Sequence, residues 1–91
     1  METFEWDDGK AASNLAKHGI DFADVLEVFE DPRALTRADD HPNEERYVTF
    51  GMDRLGRVVG VVYTWRGDTV RVISARKATR TEARHYAAGE E

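Results

Sequence analysis

The chain has no cysteine, so it carries neither a disulfide framework nor a thiolate nucleophile. It has only two prolines, Pro32 and Pro42, both in polar surroundings that read as breaks between elements. Its longest apolar run, Val58 to Tyr63 with Gly60 inside it, falls far short of the roughly 20 residues a membrane helix needs. The opening Met1-Glu2-Thr3-Phe4-Glu5-Trp6-Asp7-Asp8 has no basic stretch followed by an apolar one, which is not the pattern of a signal peptide. No G-x-x-x-x-G-K-[ST] or G-x-G-x-x-G pattern occurs, leaving nucleoside triphosphate or dinucleotide binding without support. No two histidines stand at i, i+3 or i, i+4, and no acidic residue completes a ligand set, so neither a metal site nor another cofactor is expected. Together these absences suggest a cytoplasmic protein with no membrane contact.

What is present is one domain's worth of globular chain. Ninety-one residues, 41% hydrophobic with nine aromatics, suit a single α+β domain spanning 1–91 with a modest core. The net charge of −5 conceals an asymmetry. Residues 1–45 hold 13 acids and 4 bases, whereas residues 46–88 hold 3 acids and 9 bases, eight of them arginine. Arginine's planar fork matches phosphate bidentately, where lysine offers a point charge. A polyanionic partner for the C-terminal half is one reading; mutual neutralisation of the two halves is the other.

Thr3–Trp6 reads as a strand and Asp7-Asp8 as an N-cap. Lys10–His18 reads as a helix stopped by Gly19, with Lys17 and His18 in its last turn. Asp21 is expected to cap a second helix, in which Phe22, Val25, Leu26 and Phe29 form one apolar stripe ended by Pro32. Arg33–Arg37 reads as a short extended piece and Ala38–Glu45 as a polar loop. Arg46–Met52, Arg57–Trp65 and Thr69–Ala75 read as an antiparallel meander. Thr79-Arg80-Thr81-Glu82 fits a capping box that opens a last helix running to about Ala88.

The densest chemical cluster runs from Val70 to Arg80. Simple alternation places Arg71, Ile73 and Ala75 on one face, with Val72 and Ser74 on the other. Arg76 and Lys77 leave the strand together, and Arg80 and Arg84 are i, i+4 on the helix. A cationic strand-to-helix junction suits a phosphodiester; a solvated charged loop is the plainer reading. His18 has a side chain suited to proton transfer near neutrality, though it also reads as a cation closing a helix. Arg46 enters the second long strand with Glu45 beside it, as orienting group or base. Tyr86 faces the sheet, as core or as a stacking or proton-transfer group.

With these residues in view, the chain resembles the BrnT family of bacterial type II toxins. The matching blocks are Phe4-Glu5-Trp6-Asp7, then Asn14-Leu15-Ala16-Lys17-His18-Gly19-Ile20-Asp21-Phe22, then Glu45-Arg46 leading to Gly51. The last is Ile73-Ser74-Ala75-Arg76-Lys77-Ala78-Thr79-Arg80 with Glu82 and Tyr86. The resemblance implies a RelE-like fold: a twisted, mainly antiparallel sheet with two N-terminal helices on one face, and a C-terminal helix. It implies a ribonuclease that arrests translation and is silenced by a BrnA-like ribbon-helix-helix antitoxin, in a 2:2 complex that represses its own operon. Operator DNA would be touched only through the antitoxin. Carried onto this sequence, Arg46, Arg76 and Arg80 would grip phosphate and Lys77 would assist, with Arg71 and Arg84 as further RNA contacts. His18, Glu45 or Tyr86 would be the acid–base group. The alternative is a non-catalytic antitoxin-binding module acting in transcriptional autoregulation. Convergence of Arg46, Arg76 and Arg80 in one open cup favours the nuclease; scatter or locking by carboxylates favours the module.

Overall fold

A computed structural model describes residues 2–89. Five strands, β1 (Thr3–Glu5), β2 (Leu35–Asp39), β3 (Arg46–Met52), β4 (Val58–Arg66) and β5 (Thr69–Lys77), form one mixed sheet in the order β1-β5-β4-β3-β2. The meander β2 to β5 is antiparallel, and β1 adds a parallel edge along Thr69–Arg71. The helices are α1 (Asp8–His18) and α2 (Arg80–Ala88). Neither is long and apolar enough to cross a membrane.

Local chemistry sets the ends of α1. The Asp7 side chain accepts from the Lys10 N–H at 2.9 Å. Gly19, at φ 69°, closes the helix with its N–H on the Leu15 carbonyl. The expected second α-helix is absent. Asp21 does cap, but at Ala23, and two 3₁₀ turns follow, Phe22–Asp24 and Leu26–Glu30. Their bonds span three residues, as in Val25 N–H to Phe22 and Val28 N–H to Val25. The fully buried residues Phe22, Val25 and Val28 recur every third position, the period of a 3₁₀ turn, while Leu26 and Phe29 are only partly buried. The sequence offers an i, i+3, i+4, i+7 stripe as well, and packing selects the tighter winding.

Residues paired across strands share a face. One face carries Val59, Val61 and Tyr63 of β4 with Val70, Val72 and Ala75 of β5. It meets Ile20, Phe22, Val25 and Val28 to form the core. A bulge at Val62/Tyr63 leaves Ile73 as an extra residue between Val72, opposite Tyr63, and Ser74, opposite Val62. The bulge overturns simple alternation. Val72 and Ala75 point to the core, and Arg71, Ser74 and Arg76 point to the other face. Arg37, Arg46 and Phe50 share that second face. On it lies α2, whose Thr79 cap and Glu82 complete the expected capping box.

Candidate functional site

The second face of the sheet collects arginines, and several of them find carboxylates. Arg46 Nε donates to Glu44 at 2.8 Å, and Arg71 to Glu5 at 2.6 Å. Arg76 is held bidentately by Glu82 at 2.7 and 3.0 Å, with Arg37 3.7 Å from the same carboxylate. Both Arg37 and Arg76 lie over the Phe50 ring, 5.1 and 5.7 Å from its centre. Hydrogen bonds from Arg76, outweighing burial, hold the Glu82 carboxyl at about 2, against 4.5 for a free glutamate.

Because the folded-state pKa of Glu82 lies below the unfolded one, its contribution to stability is complete above pH 4.5 and fades as pH falls towards 2. Solvent around the 41% exposed Arg76 side chain limits that contribution to roughly 1 kcal/mol. Glu82→Gln, which keeps a capping side chain, is expected to flatten the acid limb of stability between pH 4.5 and 2, read by urea unfolding at each pH. An acid limb identical to the parent's contradicts this assignment.

Several expected site residues do not converge. Arg46 pairs with Asp39, four residues along β3 from Phe50, whose cross-strand row leads through Gly60 to Arg76. That separates the two arginines by roughly 13 Å along the strand and about 10 Å across. They share a face but not a cup, and Arg80 is exposed in the first turn of α2. Lys77 pairs with Val59 and so points to the opposite face from Arg76, not alongside it. Glu45 does not orient Arg46; Glu44 does. Glu45 accepts from the Tyr47 hydroxyl, and Tyr47 belongs to the core-side face. Tyr86 is buried and donates to Asp31 at 2.6 Å. Burial and the Asp31 charge both push its phenol up, away from proton exchange at neutral pH. Arg84 is exposed on α2.

A different group of cations does come together. β1 pairs only with Thr69–Arg71, so the outer edge of β5 beyond Arg71 has no strand beside it, and α1 packs there. Lys10, Ser13, Asn14, Lys17 and His18, on one face of α1, line a shallow cleft of about 200 Å³ with Ile73 and Ser74 of β5. The bulge aims Ser74 at this cleft, and Arg76 follows two residues on from the same face of the strand. No carboxylate lines it, and Lys10, Lys17 and His18 form no ion pair among the described residues. Two clefts at the other end of the sheet hold Glu44 and Glu45, one with Arg66 and the other with Arg46, His41, Asp39 and Asp40, so acids outnumber bases in both. Of the expected residues, His18 lines this cleft, and Arg76 stands two residues beyond Ser74 with its guanidinium on Glu82 and Phe50. Sequence reasoning gives Lys10, Ser13 and Ser74 no part in a site, although the polar positions 10, 13, 14, 17 and 18 follow helical spacing.

Comparison with known proteins places the chain among toxins. A family model described as the ribonuclease toxin BrnT of type II toxin–antitoxin systems matches residues 6–82. The span includes α1, β5 and Glu82, and leaves Arg84 and Tyr86 outside. The crystal structure of the Brucella abortus ribonuclease toxin BrnT is similar, with a TM-score of 0.68 and 28% identity, covering 88% of this chain and 100% of that one. No curated protein matches.

Proposed function

This chain belongs to the BrnT family of ribonuclease toxins of type II toxin–antitoxin systems, and from that premise we propose that it cuts RNA in the cleft between α1 and β5 without a metal ion. The observation that carries the reading is a cleft, free of carboxylates among the described residues, in which Lys10, Lys17 and His18 face Ser74. RNA brings its own nucleophile. The 2′-hydroxyl oxygen attacks the neighbouring phosphorus, the 5′-oxygen leaves, and a 2′,3′-cyclic phosphate remains. One proton must leave the 2′-hydroxyl and one must reach the departing oxygen. His18 takes the proton from the 2′-hydroxyl and delivers it to the departing 5′-oxygen, and such a group contributes about 10²–10⁴-fold. Lys10, Lys17 and Arg76 stabilise charge growing on the phosphate oxygens.

The same membership supports an antitoxin partner. A BrnA-like ribbon-helix-helix antitoxin neutralises the toxin in the cytoplasm, as a 2:2 complex that reaches operator DNA through the antitoxin. The test is incubation of the purified chain with a single-stranded oligoribonucleotide in excess chelator. Scission leaving cyclic phosphate ends is expected, with His18→Ala slower by about 10²-fold or more and an all-deoxy oligonucleotide uncut. Cleavage only when a divalent ion is restored, or cleavage of the deoxy strand, contradicts the mechanism.

A second reading, a non-catalytic antitoxin-binding module acting in autoregulation, is favoured by one observation: Arg46, Arg71 and Arg76 are all held by carboxylates. Normal growth and intact RNA in cells holding the folded chain alone would support it.

A further inference from the structure

Asn14 is a buried polar side chain to which the proposed chemistry gives no task. Its amide nitrogen donates to the carbonyls of Ala75 and Ile20, each at 2.9 Å. Its amide oxygen accepts from the Ala75 N–H at 3.0 Å. Asn14 therefore satisfies both backbone groups of Ala75 on the stretch of β5 that β1 does not reach. It stands in for one residue of a missing strand, and the third bond fastens the chain just after the helix.

The position of this clamp bears on the cleft. Asn14 is one helical turn from His18 and Lys10 and next to the turn carrying Lys17. Ala75 lies between Ser74 and Arg76. One amide thus fixes the distance between the cations of α1 and those of β5. No other side-chain hydrogen bond joins α1 to β5 among the described residues.

We infer that Asn14 is a positioning residue for the nuclease, holding His18 and Lys17 in register with Ser74 and Arg76 so that both sides of the cleft meet one phosphate. The inference rests on the reading of that cleft as the site of cleavage. Active-site groups displaced by about 1 Å lose about 10²-fold in rate, so the clamp's effect on kcat exceeds its effect on substrate binding.

Asn14→Gln separates positioning from mere support. Glutamine keeps every donor and acceptor but sets α1 one methylene farther from β5. Asn14→Ala removes the clamp, and Val28→Ala, a core change far from the cleft, serves as the control for general destabilisation. Each is assayed for kcat and KM on an oligoribonucleotide, with folding checked by near-ultraviolet circular dichroism. In parallel, the His18 ring signals are followed by NMR during titration with inorganic phosphate. For Asn14→Gln, turnover is expected to slow by about 10-fold or more with KM nearly unchanged, and the phosphate-induced shift at His18 to change in size, while folded Val28→Ala turns over at the parental rate. Folded Asn14→Gln with parental turnover and a parental phosphate response overturns the inference, as does an equal loss in Val28→Ala. His18→Ala, run alongside, keeps the two claims apart. If it cleaves like the parent, the cleft itself is wrongly assigned; if it is inactive while Asn14→Gln is unimpaired, only the positioning role fails.

Discussion

Arg76→Ala is expected to slow RNA cleavage, measured as kcat/KM, by about 10²–10³-fold while leaving the domain folded. The guanidinium belongs to β5, two residues beyond Ser74, and projects on the same face. Glu82 grips it with two hydrogen bonds and Phe50 lies beneath it, so its direction is fixed before substrate arrives. Fixed charge of this kind acts on the transition state without reorganising. The side chain is 41% exposed, so truncation opens no core cavity, and the loss of its ion pair costs little stability. Arg76→Lys is expected to recover only part of the rate, because an ammonium cannot hold the Glu82 fork and face a phosphate in the same plane. Steady-state cleavage, paired with thermal melting of each variant, checks both. A folded Arg76→Ala protein with parental kcat/KM removes Arg76 from the site.

Gly60→Ala is expected to have the largest effect on stability for the smallest change in mass. A methyl group there would stand 2.8 Å from Cε1 of Phe50, closer than side chains tolerate. Phe50 is 5% exposed, with guanidinium groups over its ring, so it has little room to turn. Overpacking of this kind costs about 1–3 kcal/mol. For a domain this small, that is a fall in melting temperature of roughly 5–20 °C. Displacing the ring also displaces Arg37 and Arg76, so activity is expected to fall even at temperatures where the variant is fully folded. Calorimetry and cleavage at low temperature measure the two effects separately. An unchanged melting temperature means that the strand opens to accept the methyl group.

The sheet and both helix caps are legible in the sequence because their signals are local. Asp7, Gly19, Thr79 and Glu82 act within four residues, and the valine-rich runs with short turns admit little but a meander. The 3₁₀ turns after Asp21 are not legible, since Phe22, Val25, Leu26, Val28 and Phe29 satisfy a 3.6-residue and a 3.0-residue period alike. Only the core they meet decides between the two. The faces of β5 escape simple alternation for a related reason. One bulged residue, Ile73, inverts the alternation beyond it and sends Ser74 and Arg76 to the same side as Arg71.

The site is half legible. His18 and Arg76 stand out as residue types, and the sequence resemblance carries both. Their partnership depends on α1 lying along the open edge of β5, a contact across 61 residues made by Asn14, which no local pattern reveals. The count of arginines in the second half draws attention to Arg46 and Arg71. The acidic first half answers some of that charge directly, as Glu44 and Glu5 show. The cations of the cleft that form no ion pair among the described residues come instead from Lys10 and Lys17, in the half of the chain whose net charge is negative.

The most direct test is an NMR titration with a 2′-O-methyl oligoribonucleotide, which keeps the phosphates and lacks the nucleophile. Shifts concentrated at Lys10, Lys17, His18, Ser74 and Arg76 are expected, weakening steeply with salt as phosphate contacts do. Shifts confined to the end of the sheet that carries Arg46 and Arg71, with the α1 edge silent, would contradict the placement of the active site.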